Sequence, residues 1–382
     1  MKLSSIKNAM VSGKTVFLRA DLDVPLTKLE TRNSKLETKI EDDTRLVAAL
    51  PTIEYLLRNG AKVIVAGHLG RPKIVNQELS LRPELRPRGI KNHELSLRPV
   101  AQWLAKRFHN SSFMIHDSKL GEFDGWRIND DIFLLENLRF YKGEEENDKE
   151  FSKKLASLAD LYVNDAFAMS HRNHASIVGI TNFLPHFAGF HLEKEIDVLG
   201  KVMDNPRRPL VVIVGGKKIE TKLPLVEKMH KIADYVLVGG KIAKEVETLF
   251  KIKNNHTEEK HAVLVIGELN KNKTDISNKS VKEFLEIIKN AGTVVWNGPV
   301  GMIKLKVKNQ KSKVDTEKGT RELAEGIVKS KVYAVVGGGD TVEFLRRIKL
   351  IDKFSFASTG GGAMLAYLSG EKLPGLVALA KT

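Results

Sequence analysis

Apolar and polar positions along this chain come in blocks. Short, mostly apolar runs recur at 16–20, 62–66, 132–135 and 161–163, and again at 210–214, 235–238, 262–266, 293–296, 332–336 and 354–357. Runs of this length without strict alternation are the pattern of strands buried on both faces. Between them the spacing changes. Leu46, Ala49, Leu50, Ile53 and Leu57 recur at helical intervals and predict a helix over 45–58, and 100–108 and 151–158 read the same way. Repeated strand-helix units predict an α/β fold with parallel sheets covered on both faces, in two doubly wound domains. A polar helical segment at 192–203 is placed to connect them.

Composition narrows the picture. A chain of 382 residues is long for one core and sufficient for two. Its 42% hydrophobic and 29% charged residues are those of an ordinary globular protein. No apolar run approaches the roughly 18 residues of a membrane span, and the opening MKLSSIKNAM lacks a signal-peptide core, so a cytoplasmic protein is expected. The absence of cysteine excludes disulfides, thiol catalysis and cysteine-ligated metals.

The 62 Lys and Arg exceed the 47 Asp and Glu by 15, a field that attracts anions. Part of the excess lies in two stretches, one with Lys304, Lys306, Lys308, Lys311 and Lys313, the other with Arg82, Arg86, Arg88, Lys91 and Arg98. Few aromatics interleave with them, so solvated loops are expected rather than a nucleic-acid groove. Two short duplications, KLET at 28–31 and 35–38 and ELSLRP at 78–83 and 94–99, are too short for structural repeats and read as loop expansions.

The chemistry concentrates after the strands, where open α/β sheets bind ligands. The stretch 208–222 runs from an apolar strand through Gly215 and Gly216 into a segment with Lys217, Lys218 and Lys222, with Ile219, Leu223 and Val226 at helical spacing. Strand, glycine turn and helix N-terminus make an anion site, with Lys218 and Lys222 expected one turn apart on one helix face. A glycine pair after a strand is by itself an ordinary turn, and the stretch does not match the P-loop pattern. Further glycine turns stand at Gly239-Gly240, in NGPVG from Asn297, in GGGD with Gly338, Gly339 and Asp340 before Thr341, and in STGGGA at 358–363. Such turns let a backbone approach phosphates closely, and Asp340 is placed to hold a magnesium ion between them.

The first half carries a different set after its strands: Asp21 and Asp23, His68 and Arg71, Arg139, then Asn164, Asp165, His171, Arg172 and His174, with Arg45 opening a helix. Singly each reads as a surface ion pair, a buried histidine or a turn residue. Converging from several strand ends, they point to a small, multiply anionic substrate, since guanidinium forks match carboxylate and phosphate geometry.

RADLDVPL, EDDTRL, GHLGRP, LLENLRF, YVNDAFAMSHRNHAS, VVIVGGKKIETK, VVWNGPVG, VVGGGDT and FASTGGGAML together resemble the phosphoglycerate kinase family, in order and over nearly the whole chain. The resemblance implies two Rossmann-like doubly wound domains joined by a hinge helix: a phosphoglycerate-binding domain at 1–185, the hinge at 186–204, a nucleotide-binding domain at 205–363, and a terminal segment at 364–382 packing back on the first. It implies a monomer that transfers a phosphoryl group reversibly between 1,3-bisphosphoglycerate and ADP, giving 3-phosphoglycerate and MgATP, with hinge closure gating the reaction. Asp21, Asp23, Arg45, His68, Arg71, Arg139 and Arg172 would hold the phosphoglycerate. Gly215, Gly216, Lys218, Lys222, Gly239, Asn297, Gly338, Gly339, Asp340 and Thr341 would hold the nucleotide, Asp340 taking Mg2+, with Lys218 and Arg45 as catalytic residues.

Four positions depart from the family pattern. Asp23 replaces the asparagine usual in the DxN motif, adding a negative charge beside a substrate carboxylate unless Arg19 or Arg45 pairs with it. Lys217 replaces a small residue before the catalytic lysine and is expected to face solvent, with an extra phosphate contact as the alternative. Lys304 stands where the family has a ribose-binding glutamate, with Asp315 or Glu317 as substitutes, and Ser277 stands where a glycine near the adenine is common. They leave room for an alternative: a catalytically weakened kinase-like protein that binds nucleotide or other polyanions. Another carboxylate kinase is disfavoured by HLGRP together with HRNH.

Overall fold

A computed structural model describes residues 3–30, 36–72, 95–108, 115–253, 261–303 and 315–380. The chain divides into two compact units, Met1–Lys194 with Leu373–Thr382, and Glu195–Lys372.

The first unit contains β1 (Thr15–Arg19), β2 (Leu26–Glu30), β3 (Leu36–Ile40), α1 (Thr44–Arg58), β4 (Lys62–Ala66), α2 (Arg98–Phe108), β5 (His116–Leu120), β6 (Phe123–Arg127), β7 (Ile132–Leu135), α3 (Lys142–Glu145), α4 (Lys149–Ala156), β8 (Leu161–Asn164) and β9 (His186–Ala188). Seven strands form one sheet in the order β5-β6-β7-β4-β1-β8-β9. β1 lies at its heart, parallel to β4 and β8, with Leu18 opposite Val65 on one side and Val163 on the other. These strands are apolar on both faces because helices and loops cover both, and Leu18, Val65, Val100, Leu104 and Ile53 meet in one core.

Two parts of this unit differ from the expectation. The sheet is not parallel throughout, since β5 and β6 form an antiparallel hairpin around Gly121 and β6 runs antiparallel to β7. β5 reads HDSKL, without the apolar run that marks an inner strand, because it is an edge. The two KLET copies are not structureless expansions either. Their described residues, 28–30 and 36–38, fall in β2 and β3, which pair antiparallel with Lys28 opposite Thr38, Leu29 opposite Glu37 and Glu30 opposite Leu36, while Thr31 and Lys35 lie outside the described residues. The second ELSLRP copy leads into α2, whereas the first, and the basic residues from Arg82 to Lys91 and Lys304 to Lys313, lie outside the described residues.

The second unit contains β10 (Leu210–Val214), α6 (Leu223–Ile232), β11 (Tyr235–Val238), α7 (Ala243–Lys253), β12 (Val263–Ile266), α8 (Asn278–Lys289), β13 (Thr293–Asn297), α9 (Lys318–Ser330), β14 (Tyr333–Gly337), α10 (Gly339–Arg347), β15 (Phe356–Ala357) and α11 (Gly362–Leu368). Its six strands run in the order β12-β11-β10-β13-β14-β15, all parallel. Counted from its own first strand this is 3-2-1-4-5-6, the doubly wound order, whose direction of winding reverses between β10 and β13. The fold is therefore α/β with two Rossmann-like units.

The boundary between the units falls inside helix α5 (Phe190–Asp204), at Lys194 and Glu195. The expected helix at 186–204 begins later, because His186–Ala188 is committed to the sheet as β9, parallel to β8. Residues 364–372 belong to the second unit, where α11 packs on α6, and only the stretch from Leu373, with helix α12 (Pro374–Leu379), belongs to the first. Gly375 donates its N–H to the Ser170 carbonyl at 2.9 Å, which ties α12 down.

Candidate functional site

In the first unit the carboxyl ends of β1, β4 and β7 deliver charged groups to one place. Beyond β1 the chain presents Asp21, buried, and Asp23, half-buried. Arg45, in the first turn of α1, places Nε 3.3 Å from Asp21 Oδ2 and donates from Nη1 to the Asp23 carbonyl at 2.8 Å. The Asp23 carboxylate has its own partners. Oδ1 accepts the Gly70 N–H at 2.8 Å, and Oδ2 stands 3.7 Å from both Arg45 Nη1 and His68 Nε2. Arg139, on the short turn after β7, donates to the Gly70 carbonyl at 2.7 Å and pairs with Glu145 at 3.0 Å. Arg71 and Arg172 are exposed, with Arg71 near enough to Arg139, and Arg172 to His174, to disfavour a further positive charge there.

Behind this cluster lies a buried network built on Arg19, whose partners are not the Asp23 suggested for it. Arg19, wholly buried at the end of β1, donates to the Ala20 carbonyl and to Ser176 Oγ at 2.9 Å, and its Nη2 stands 3.2 Å from His68 Nδ1. A guanidinium only donates, so His68 Nδ1 accepts and the ring proton sits on Nε2, the nitrogen turned toward Asp23. Burial, reinforced by Arg19, Arg139 and Arg45, holds the His68 pKa well below the usual histidine value, and the ring is a neutral donor. Ser176 passes the interaction on, donating from N and Oγ to the buried Glu144 at 3.0 and 2.6 Å. His174 places Nδ1 3.8 Å from Glu144, and burial, followed by Arg139, lowers it to about 4. The signal available in the sequence was an arginine closing an otherwise apolar strand.

Asp165 does not join the cluster. Its Oδ1 accepts the N–H groups of His191 and Leu192 at 2.8 and 3.2 Å, so it caps the start of α5, and burial pushes its pKa up to about 7.

In the second unit a cavity of about 330 Å³ opens where the winding reverses, past the ends of β10, β13 and β14. The first two strands end in glycines that touch. Gly298 has φ +91°, and a Cβ there would lie 2.1 Å from the Gly215 carbonyl oxygen. Gly298 N–H donates to Thr341 Oγ1 at 3.1 Å, locking β13 to the start of α10. Gly338, also at φ +91°, turns the chain into α10, whose first turn carries Asp340 and Thr341.

Lys217, Lys218, Lys222, Asn297 and the stretch from Gly338 to Thr341 line this cavity, with Gly216 and Gly240, whereas Gly215 and Gly239, expected there, do not line it and pack closely on Pro299 and Val300 respectively. Lys222 donates from Nζ to Asn297 Oδ1, and burial brings its pKa down to about 8 against the opposing pull of Asp340. The two lysines are not a turn apart on a helix, as expected. Lys218 is extended, Ile219–Thr221 forms a single 3-10 turn, and α6 begins only at Leu223, because the glycine turn spends several residues reversing direction. Both still reach the cavity. Among the described residues no group of three or more His, Asp or Glu could hold a metal ion by itself. Asp340, exposed at the cavity, offers a single carboxylate, a hard oxygen donor of the kind that magnesium takes beside phosphate oxygens.

A model of the phosphoglycerate kinase family matches residues 6–263 and 244–371. The chain belongs to the phosphoglycerate kinase family. Among solved structures it is similar to the phosphoglycerate kinase from Coxiella burnetii, with 31% identity over 100% of this chain and 99% of that one at a TM-score of 0.75. It is also similar to the phosphoglycerate kinase from Pyrococcus horikoshii OT3, with 27% identity over 99% and 98% of the two chains at a TM-score of 0.73. Membership of the phosphoglycerate kinase family makes the chain a kinase by class, and among the described residues no helix is long and apolar enough to cross a membrane.

Against the phosphoglycerate kinase pattern, three of the four departures can be placed. Asp23 is paired, through Arg45 rather than Arg19. Lys217 is exposed and lines the cavity. Ser277 caps α8, its Oγ accepting from Ser280 N at 3.2 Å. Lys304 lies outside the described residues. Of its suggested substitutes, Glu317 is held by Arg347 at 2.6 Å and Asp315 accepts the Glu317 N–H at 3.0 Å, and neither lines the cavity.

Proposed function

We propose that the chain is an active phosphoglycerate kinase, transferring a phosphoryl group between 1,3-bisphosphoglycerate and ADP to give 3-phosphoglycerate and MgATP. The observation that carries this is the convergence of Lys218, Lys222 and Asp340 on one glycine-walled cavity at the switch point of the second sheet. Backbone N–H groups, two ammonium groups and the start of α10 suit a polyphosphate chain there. The first unit supplies the complementary half. Arg45, Arg139 and neutral His68 offer donors to an acid carrying both carboxylate and phosphate, and the exposed Arg71 and Arg172 add charge beside them.

In the direction of ATP consumption, a carboxylate oxygen of 3-phosphoglycerate forms the new bond to the γ-phosphorus as the bridging oxygen leaves with ADP. A carboxyl group ionises at a pKa of about 4, so the nucleophile is ready at neutral pH without a general base. What the reaction needs is relief of repulsion between anions and stabilisation of the transferring group, the task assigned to Lys218 with Arg45 in support. Asp340 would hold magnesium, which when bound partly neutralises the phosphate oxygens. Lys222, fixed on Asn297, orients the phosphates. Transfer in line requires the two substrates to be brought together, and α5, which runs from one unit into the other, is the proposed hinge.

The test is steady-state formation of 1,3-bisphosphoglycerate from 3-phosphoglycerate and MgATP, with Lys218→Ala alongside. Loss of about a hundredfold or more in kcat is expected when a contact to the transferring group is removed. An intact, folded chain that binds MgATP and shows no turnover would favour instead a protein that only binds nucleotide.

A further inference from the structure

Part of the wall of the glycine-lined cavity comes from two stretches distant in sequence. One is the loop at 269–274, which contributes Leu269, Lys273 and Thr274, and the other is the segment at 300–302. They touch where the Met302 N–H donates to the Thr274 carbonyl at 2.9 Å. Apart from a single bridge between Leu269 and Ile276, neither belongs to a strand or a helix, so their spacing is set by other bonds.

Those bonds centre on a carboxylate that does not line the cavity. Asp275, the residue after Thr274, is 2% exposed. Its Oδ2 accepts the Gly319 N–H at 2.7 Å and its Oδ1 accepts the Ile276 N–H at 2.9 Å. Gly319 stands in the first turn of α9, where unpaired N–H groups favour an anion. Glu317, which precedes α9, gives that end no side-chain cap, and Asp275 supplies one from outside. The same turn also holds the other stretch, because Thr320 Oγ1 accepts the Gly301 N–H at 3.1 Å. The fit is close. A Cβ on Gly301 would run into Asp275 Oδ1, and one on Gly319 would stand 2.7 Å from it.

Both carboxylate oxygens are therefore in use. An asparagine of the same shape has one oxygen, so it can serve one of the two N–H groups and must turn its own donors toward the other. Burial pushes the Asp275 pKa up to about 6 against the two N–H groups, with a smaller push from Asp315, ahead of α9, and Glu322, which Lys318 pairs at 3.7 Å. The group is thus ionised at neutral pH and becomes protonated in mild acid, where one N–H loses its acceptor.

We propose that Asp275 is a positioning residue for the nucleotide: by tying the loop at 269–274 to the start of α9, which also holds Gly301, it fixes the two stretches at the spacing that gives the cavity its affinity. The inference rests on the nucleotide reading of the cavity given above and deepens it by naming what holds the cavity in shape.

The experiment compares the full chain with Asp275→Asn by calorimetric binding of MgADP at pH 7.5 and 5.5, and by steady-state kinetics with MgATP and 3-phosphoglycerate. At pH 7.5 the variant's Kd for MgADP and KM for MgATP are expected to rise by about tenfold, as for the loss of one hydrogen bond to a charged group. The kcat and the KM for 3-phosphoglycerate should stay within about twofold of the unaltered chain. Between pH 7.5 and 5.5 the unaltered chain should lose more affinity than the variant, a comparison in which the ionisation of the nucleotide itself cancels. Thr320→Val, which keeps the shape and removes the acceptor for Gly301, should raise the same two nucleotide constants, whereas Thr320→Ser should leave them near their original values. A folded Asp275→Asn whose Kd for MgADP does not move, even if its denaturation midpoint falls, overturns the proposal and leaves the nucleotide reading intact. So does a loss confined to kcat. If Asp275→Asn does not fold, unchanged nucleotide affinity in Thr320→Val overturns it instead. An unaltered chain that binds no MgADP sinks the nucleotide reading and this inference with it.

Discussion

Arg45 donates from Nη1 to the backbone carbonyl of Asp23 at 2.8 Å, and the same nitrogen stands 3.7 Å from the Asp23 carboxylate. The acid therefore occupies one of the guanidinium groups that an anionic substrate would use. It also faces the Nε2 of His68 at 3.7 Å. An internal anion thus competes for two donors of the first unit.

Asp23→Asn keeps an oxygen for the Gly70 N–H and removes the charge. The pair is partly exposed, so its strength is at most about 1 kcal/mol. The KM for 3-phosphoglycerate is expected to fall by about threefold to fivefold, with little change in thermal stability. A KM that rises would mean that Asp23 helps to bind the substrate.

His68 should stay neutral through the working range. Burial and three arginines depress its pKa, so protonation is confined to acid well below the usual histidine midpoint. Nitrogen-15 NMR should show a proton on Nε2 only, with no titration between about pH 6 and 8. A histidine resonance assigned to His68 that titrates near 6.5 would refute the Arg19 lock.

Lys222 should impose an alkaline limb. Its pKa in the free protein lies at about 8, so the ammonium that meets phosphate is lost as pH rises through that value. Nucleotide affinity should therefore decline above about pH 8, and Lys222→Arg, which stays charged, should move the decline upward. Stability runs the other way. Between about 8 and 10.5 the unfolded chain holds more protons at this residue than the folded one, so this group's contribution to stability increases with pH over that window. Chemical denaturation at pH 7.5 and 9.5, with Lys222→Met as reference, separates the two effects.

Gly298→Ala should be severe. The added Cβ would meet the Gly215 carbonyl at 2.1 Å, in a backbone conformation that disfavours side chains. The atom in the way is backbone at the end of a central strand and cannot swing aside. A loss of at least about 2 kcal/mol in stability, with loss of nucleotide binding, is expected by denaturant titration.

Much of the architecture was legible because inner parallel strands announce themselves. Leu210–Val214 and Ile132–Leu135 are apolar throughout and lie where their patterns put them. Edge elements announce themselves poorly. β5 is held by backbone pairing rather than by an apolar face, and β2 and β3 pair with each other, so pattern alone gave no strand. The charged residues after the strands could be picked out by type, yet their groupings could not. Asp165 and Asp21 look alike in sequence, and only the fold assigns one to cap α5 and the other to Arg45. Arg19 stood out only as a possible partner for Asp23, and its partners Ser176 and His68 are set by the fold because its whole role is played inside.

The hairpin of β2 and β3 shows how a protein can lengthen without disturbing itself. Over their described residues the two KLET copies pair with each other, Lys28 with Thr38, Leu29 with Glu37 and Glu30 with Leu36, so the copied segment serves as its own template. The added backbone satisfies its polar groups in a separate two-stranded ribbon and takes no place in the seven-stranded sheet. Growth by self-pairing leaves the spacing between Asp23 and Arg45 in space independent of the length of chain that joins them.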